Sequence, residues 1–341
     1  MAALDPADVL IELWSDAGLD DEALEDIAFT GSEPVLPSSF AVGTAAQATI
    51  GAAALASAEL WRLRTGRRQR VTVAMRNAAI EFRSERYLRV DGKDPDDHHD
   101  QIAGLYRCGD GRWARLHTNL PHHCDGLLRL LGCKHHKAAV QRALEQWPAQ
   151  ALESAAAEAG LVVTACRSFA EWDAHAQGRA VASLPLFSIE KIGEAPALTL
   201  SPGQRPLSGI KVLELTHVIA GPVSGRVLAG HGADVLLVTA AHRPSMLPLV
   251  IDTGRGKLST QIDLRQPDGQ ETLAALVREA DVFIQALSAR CRRRARIRPG
   301  GARPPPPGDR LRLAVRLRPR RSLGAAPRLR FARPDSERTE S

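Results

Sequence analysis

Residues 207–286 alternate between short apolar runs and amphipathic stretches. The apolar runs at 210–215, 233–238 and 281–285 have the length and composition of buried strands. Between the first two lies a stretch opened by Ala220-Gly221-Pro222, where the proline suits the first turn of a helix. This alternation predicts an α/β fold with a parallel sheet, right-handed crossovers and a ligand site beyond the carboxyl ends of the strands.

Residues 1–195 are rich in helical patterns and contain one strong hairpin signal. The predicted hairpin has strands at 105–108 and 112–117, joined by Gly109-Asp110-Gly111. A helix is predicted at 153–159 and a short strand at 161–163. The pattern therefore predicts a helix-rich α+β region ahead of the α/β segment.

An alanine-rich run at 41–60 and a linker complete this part of the chain. The run is interrupted by Thr44, Gln47 and Glu59, so it predicts a buried helix and falls short of a membrane span. Proline and glycine mark residues 196–206 as the linker between the regions 1–195 and 207–286.

Residues 287–341 differ from the rest in composition and charge. From residue 286 onward the chain carries 17 arginines, no lysine and 4 acidic residues, whereas residues 1–285 are net acidic and the whole chain is +6. Arginine, proline and glycine without a sustained apolar period predict disorder.

Cysteine usage and the amino terminus indicate the compartment. The 5 cysteines are an odd number without a C-x-x-C pair, which argues against a disulfide framework. The acidic first residues lack the basic start and apolar stretch of a secretory signal. We therefore predict a cytoplasmic protein without membrane contact.

Histidines and cysteines are dense between residues 117 and 136. Zinc sites favour closely paired ligands, and the spacing Cys124-x8-Cys133 does not provide such a pair. We therefore expect no metal site, and read these side chains as surface and loop residues: His117, His122, His123, Cys124, Cys133, His135 and His136.

Two blocks of the α/β segment resemble the family III CoA-transferases, which include carnitine, bile-acid and oxalate CoA-transferases and α-methylacyl-CoA racemases. The first block is LSGIKVLELTHVIAGPVSGRVLAGHGADVLLV (207–238), and the second is GRGKLSTQIDLRQPDGQETLAALVREADVFIQ (254–285). The resemblance implies a Rossmann-like half that binds coenzyme A.

The first region resembles the later half of the same family. AELWRLRTGRRQRVTVAMRNA (58–78), YRCGDGRWARLH (106–117) and FAEWDAHAQG (169–178) carry this likeness. Material of the later half thus precedes the Rossmann-like half. A tandem fusion and a permuted fold both remain open.

The resemblance implies that CoA moves between carboxylic acids through an aspartate. In this chemistry the carboxylate attacks the thioester carbonyl, and the CoA thiolate then captures the anhydride as an enzyme thioester. Backbone N–H groups in glycine-rich turns would stabilise the oxyanions. The expected substrates are an acyl-CoA and a carboxylic acid, and a complete member is expected to be a homodimer.

The resemblance also implies contacts with CoA at the ends of three strands. They are expected at Val218, Ile219, Ala220, Ile262, Asp263, Leu264, Arg265, Gln285 and Ala286. After the second strand the family commonly has Glu then Arg, but this chain has Thr239 and Ala240, so His242 or Arg243 would have to substitute.

The family's catalytic aspartate has no counterpart in this chain. Codons for residues 287–291 can be read one base later as YRPGA, which the family places after this strand. In the same frame, 311–321 permits SVSLSAYGRA and 328–340 permits GFDSLVQTASGL, which contains the aspartate. We interpret the tail as family sequence read out of frame after Ala286, and expect a truncated, inactive transferase.

Two other functions remain open on the sequence alone. The 17 arginines could bind phosphates without specificity, which would make the chain a non-catalytic protein with a tail for nucleic acid or an acidic partner. The tail has one aromatic residue, Phe331, for base stacking, so no specific nucleic acid is expected. The first region could instead be a structural partner for another chain.

Overall fold

A computed structural model describes residues 4–95, 99–191, 198–243, 245–287 and the backbone of 313–316. These residues form two compact units. The first combines the described parts of Met1–Pro95 and Phe187–Leu317, and the second is the described part of Asp96–Leu186. The units therefore differ from the predicted regions, because the first part of the predicted region 1–195, residues 4–95, packs with the α/β segment.

The amino-terminal part of the first unit is two parallel strands beside a long helix. Its elements are α1 (Pro6–Asp16), β1 (Ile27–Thr30), α2 (Val42–Thr65), β2 (Val71–Ala74) and α3 (Met75–Glu81). The buried Gln47 side chain on α2 donates to the carbonyls of Thr30 and Val73, at 2.9 and 2.7 Å. The helix predicted at 41–60 is thus confirmed, and its polar residues Thr44 and Gln47 are buried.

The second unit packs helices on a three-stranded antiparallel sheet of order β3-β4-β5. Its elements are β3 (Gly104–Arg107), β4 (Trp113–Leu116), α4 (Pro121–Leu131), α5 (Lys137–Leu144), α6 (Ala149–Glu158), β5 (Val163–Ala165), α7 (Phe169–Ala174) and α8 (Ala176–Ala182). Fully buried Leu116, Leu144 and Leu152 form part of its core. The predicted hairpin and the helix predicted at 153–159 are confirmed.

The strand predicted at 161–163 begins later than expected. Gly160 has a φ of +74°, and the Leu161 amide donates to the Ala156 carbonyl at 2.8 Å, so both residues close the end of α6. Pairing with β4 therefore starts only after this turn.

The hairpin glycine Gly109 faces the backbone of the α5–α6 turn. A Cβ atom at this position would lie 2.1 Å from the carbonyl oxygen of Glu145. We expect Gly109→Ala to lower the unfolding free energy by about 1–3 kcal/mol, because backbone must move to relieve the overlap. Urea denaturation measures the loss. Gly104→Ala is the matched control, because its Cβ would meet no atom closer than 3.7 Å; equal losses in both variants would contradict the explanation.

The remaining part of the first unit is a five-stranded parallel sheet with helices between its strands. Its elements are β6 (Lys211–Leu215), α9 (Ala220–Gly230), β7 (Asp234–Thr239), α10 (Leu247–Gly254), β8 (Leu258–Gln261), α11 (Pro267–Glu279), β9 (Val282–Gln285) and β10 (Leu313–Arg316). The strand order is β10-β9-β6-β7-β8, and every neighbouring pair is parallel. The predicted α/β fold with a parallel sheet is confirmed.

Part of the tail differs from the predicted disorder. Leu313–Arg316 pairs as β10 with β9, Leu313 opposite Val282 and Arg316 opposite Gln285. The short apolar run LAV with Arg316 extends the hydrogen-bonded ladder at the side of β9 that β6 leaves open. For the rest of 287–341 the predicted disorder lies outside the described residues.

A buried arginine joins the amino-terminal part of the first unit to the parallel sheet. Arg226 on α9 donates to Asp252 on α10 at 2.8 Å and to the Ser84 hydroxyl at 3.0 Å, and it is paired with Glu81. The Ser84 hydroxyl in turn donates to Asp252 at 2.7 Å. The Arg226 and Asp252 side chains are both nine-tenths or more buried. Each of these two charges therefore depends on the other for its stability inside the protein.

Within the described part of the chain, none of the helices combines the length and the apolar composition needed to cross a lipid bilayer.

Candidate functional site

A cleft of about 630 Å³ lies at the carboxyl ends of the parallel strands. The ends of β6, β7 and β8, the residues that follow these strands and β9, and side chains of α10 form its walls. Parallel α/β sheets bind ligands at this edge, where loops of neighbouring strands diverge. The fold therefore supplies a ligand-sized site at the place the sequence pattern predicts.

The cleft brings together five of the predicted contact residues, which follow three different strands: Val218, Ile262, Leu264, Arg265 and Ala286. Val218 follows β6, Ile262 to Arg265 follow β8, and Ala286 follows β9. Residues up to 68 positions apart in sequence thus share one wall. A role for them in binding CoA stays a prediction.

The other four predicted residues do not line this cleft. Ile219 is exposed ahead of α9, and Ala220 is the first residue of that helix. Asp263 is engaged by Arg265. Gln285 is buried, and its side-chain carbonyl accepts the Leu287 amide at 2.9 Å. It therefore holds the backbone that follows β9.

The turn after β6 contains a strained residue. Val218 has a φ of +74°, a conformation that β-branched residues rarely adopt. Such strain persists only where neighbouring contacts hold the backbone, and it concentrates at functional sites. Gly221 permits one of these contacts, because a Cβ there would lie 2.4 Å from the Thr216 side chain.

A buried ion pair lies below this turn. The Lys257 ammonium donates to Glu214 at 2.7 Å and to the Pro222 carbonyl in α9 at 2.6 Å, and both charged side chains are almost fully buried. Burial lowers the pKa of Lys257, and the contact with Glu214 opposes that shift. The Thr216 hydroxyl donates to the other Glu214 oxygen at 2.5 Å. The pair thus links β6, its turn and α9.

Gly225 makes room for the Glu214 carboxylate. A Cβ at this position would lie 1.9 Å from a carboxylate oxygen of Glu214. The glycine in α9 thereby explains how a charged side chain fits between a helix and a packed sheet.

Basic side chains stand at the polar wall of the cleft. The Arg265 guanidinium donates to Asp263 from Nε at 2.9 Å and from Nη2 at 2.6 Å, and the Arg265 backbone amide donates at 3.0 Å; these hydrogen bonds lower the pKa of Asp263 to about 2. His242 lies 3.9 Å from Asp263, and Arg243 also lines the cleft. Thr239 and Ala240 are also in the wall, next to these basic residues.

Sequence reasoning did not identify Lys257, Glu214, Thr216 or Met246. Lys257 and Glu214 are 43 residues apart, and only the sheet order reveals that they meet. A charged residue inside an apolar strand is the one signal that could have marked Glu214 as buried and paired. Met246, in the loop before α10, and Thr216, in the turn after β6, both line the cleft.

These features define an α/β protein with a ligand cleft at the carboxyl edge of a parallel sheet. The sequence model of CoA-transferase family III matches residues 26–201 and again 207–303. The chain belongs to CoA-transferase family III. Both predicted likenesses, that of the first region and that of the α/β segment, are therefore confirmed at the level of the family.

Several relatives share parts of this sequence. An acyl-CoA transferase of Gibberella moniliformis is 30% identical over 205 residues, which cover 54% of this chain and 35% of the relative. A succinate–glutarate CoA-transferase of Agrobacterium fabrum is 40% identical over 98 residues, covering 24% of each chain. The human α-methylacyl-CoA racemase is 40% identical over 79 residues, covering 23% of this chain and 20% of the racemase.

The chain spans between about a fifth and about a third of the length of these curated relatives. Among solved structures, a CaiB/BaiF family protein from Brucella suis is 30% identical, with a TM-score of 0.25 over 28% of this chain and 30% of that chain.

Proposed function

We propose that the cleft binds the CoA moiety of an acyl-CoA and that the chain derives from an enzyme that moves CoA between carboxylic acids. The observation that carries this proposal is the convergence of Val218, Ile262, Leu264, Arg265 and Ala286 on one cleft at the carboxyl edge of the sheet. Membership of CoA-transferase family III supports a CoA thioester as the ligand.

The charge of the cleft suits a phosphorylated ligand. Arg243, Arg265 and His242 lie on its polar wall, whereas Leu237, Leu249 and Met246 provide apolar surface. CoA combines phosphate groups with an extended, less polar arm, so both kinds of wall have a counterpart. We infer that His242 and Arg243 contact the phosphate groups of CoA, in place of the Glu and Arg that family members commonly have where this chain has Thr239 and Ala240.

We further propose that the chain in this reading frame lacks transfer activity. The mechanism needs a carboxylate that attacks the thioester carbonyl and expels the CoA thiolate. In the other frame, codons 311–321 would encode the family's next strand after β9. The re-read aspartate belongs to 328–340, which lie outside the described residues.

Binding and turnover of the purified chain test these proposals together. We expect saturable binding of CoA by calorimetry, and no transfer of CoA from an acyl-CoA to carboxylate acceptors. Sequencing the gene across codons 284–292 tests the frameshift directly. A DNA sequence that cannot encode YRPGA in the next frame would refute the frameshift, and absence of CoA binding would refute the ligand.

Removing Arg265 is expected to weaken CoA binding about 10-fold, because a charge-assisted hydrogen bond to a phosphate contributes about 1.5 kcal/mol or more. The variant is Arg265→Ala, measured by calorimetric titration with CoA. Arg62→Ala is the matched control, since Arg62 on α2 also forms an exposed ion pair close in sequence, with Glu59. Equal affinities for the two variants would exclude Arg265 from the site.

A homodimer and a cytoplasmic location are expected as well. The two separate matches to one family model support a tandem or permuted gene without deciding between them.

A further inference from the structure

Three side chains of the second unit converge on one point. They are Asp100 in the segment before β3, Cys124 in the first turn of α4 and His135 in the loop before α5. One carboxylate oxygen, the thiol sulfur and a ring nitrogen all lie within 4.8 Å of one another. We propose that these three residues bind a zinc ion.

The distances suit this assignment. Asp100 Oδ2 lies 2.8 Å from His135 Nε2 and 3.8 Å from Cys124 Sγ. Zinc binds oxygen and nitrogen at about 2.0–2.2 Å and sulfur at about 2.3 Å, so tetrahedral ligand atoms stand about 3.3–3.6 Å apart. The Asp100–His135 pair would have to separate by about 0.5 Å or slightly more, the Asp100–Cys124 pair to approach by a few tenths of an ångström, and Nε2 and Sγ, which lie within 4.8 Å of each other, to reach the same spacing.

Surrounding contacts orient the carboxylate as a metal ligand requires. The other oxygen of Asp100, Oδ1, accepts the Thr118 hydroxyl at 2.8 Å and the Ile102 amide at 3.0 Å. This leaves Oδ2 directed at the thiol and the imidazole. Hydrogen bonds that fix one carboxylate oxygen and free the other are typical of the residues around metal sites.

The imidazole is held in a comparable way. The Gln101 side-chain amide lies 3.2 Å from Nδ1 of His135, on the far side of the ring from Asp100. With zinc on Nε2, the ring proton lies on Nδ1, so the Gln101 amide, whose nitrogen also donates to the His135 carbonyl at 2.9 Å, must shift before it can accept from the ring. Asp100 therefore already has its orienting partners, and Gln101 would orient His135 only after this shift.

The chemistry of the donors favours zinc among common divalent ions. Thiolate and imidazole ligands suit zinc, whereas magnesium and calcium prefer oxygen alone. Among the described residues, no fourth His, Cys, Asp or Glu joins this group, so a water molecule would complete the tetrahedron.

The proposal replaces the expectation that residues 117–136 hold no metal. That expectation depended on spacing in sequence, and Asp100 lies outside the segment. Of its seven residues, only Cys124 and His135 approach Asp100. His123 instead has a buried ring, which lowers its pKa to about 4, and His136 caps α5 by accepting the Ala138 amide.

Cobalt and zinc titrations of the chelator-treated full chain test the site. We expect one cobalt ion per chain at this site, with the near-ultraviolet absorption of a thiolate–cobalt bond, and displacement of cobalt by zinc. Cys124→Ser should abolish the absorption and weaken zinc binding more than about 100-fold, and Thr118→Val should weaken it about 10-fold.

Two controls separate the site from other cysteines and from misfolding. Cys133→Ser, on the same loop but outside the group, should leave the absorption unchanged. His135→Gln changes an exposed side chain, so it tests the site even if Cys124→Ser fails to fold. Absence of saturable binding by the unaltered chain, or binding that persists with its absorption in both Cys124→Ser and His135→Gln, would overturn the proposal.

Discussion

Restoring the reading frame after codon 286 is expected to convert a chain without transfer activity into an active CoA-transferase. The expected gain is about three orders of magnitude or more, because losing a covalent nucleophile removes catalysis on that scale. The restored chain would carry an aspartate encoded across the codons of Arg330 and Phe331. Transfer of CoA from an acyl-CoA to carboxylate acceptors, followed chromatographically, measures the change.

The control is the frame-restored chain with asparagine at this aspartate. It keeps the shape of the side chain but removes the carboxylate that attacks the thioester, so it should bind CoA and show no transfer. Transfer activity of the chain as encoded would contradict the proposed inactivity. A restored chain that binds CoA and remains inactive would contradict the assignment of the re-read aspartate.

Local patterns in the sequence predicted most of the parallel sheet. β6, β7 and β9 lie within a residue or so of their predicted positions, because each is a short apolar run bounded by glycine, proline or charged residues. The hairpin of β3 and β4 has the same clarity, since Gly109-Asp110-Gly111 encodes its turn.

The parts that were missed depend on tertiary contacts. The sequence of α10, LPLVIDTG, has a proline and an unbroken apolar run, so neither a helical nor a strand period stands out. The four residues of β10 pair only because β9 presents an open side. The group of Asp100, Cys124 and His135 forms because a loop, a helix and a second loop lie side by side in the folded unit. The spacing of the three residues in the sequence does not predict this contact.

Removing the ammonium group below the cleft is expected to be the most destabilising single change in the parallel sheet. Lys257→Met should lower the unfolding free energy by about 3–5 kcal/mol, because it leaves the Glu214 carboxylate buried without its counter-charge. Denaturant unfolding of the purified chain measures the loss. Lys211→Met, at the exposed start of β6, is the matched control and should change stability by no more than about 0.5 kcal/mol.

A second substitution separates stability from the shape of the turn. Glu214→Leu combined with Lys257→Met replaces the ion pair by apolar groups, and it should recover most of the lost stability, because no buried charge remains. It also removes the acceptor of the Thr216 hydroxyl and the donor to the Pro222 carbonyl, the two contacts that tie the strained Val218 turn to β6 and α9. We therefore expect the double variant to be folded yet to bind CoA more weakly than the unaltered chain. Unchanged CoA affinity in a stable double variant would show that the pair maintains the fold without shaping the cleft.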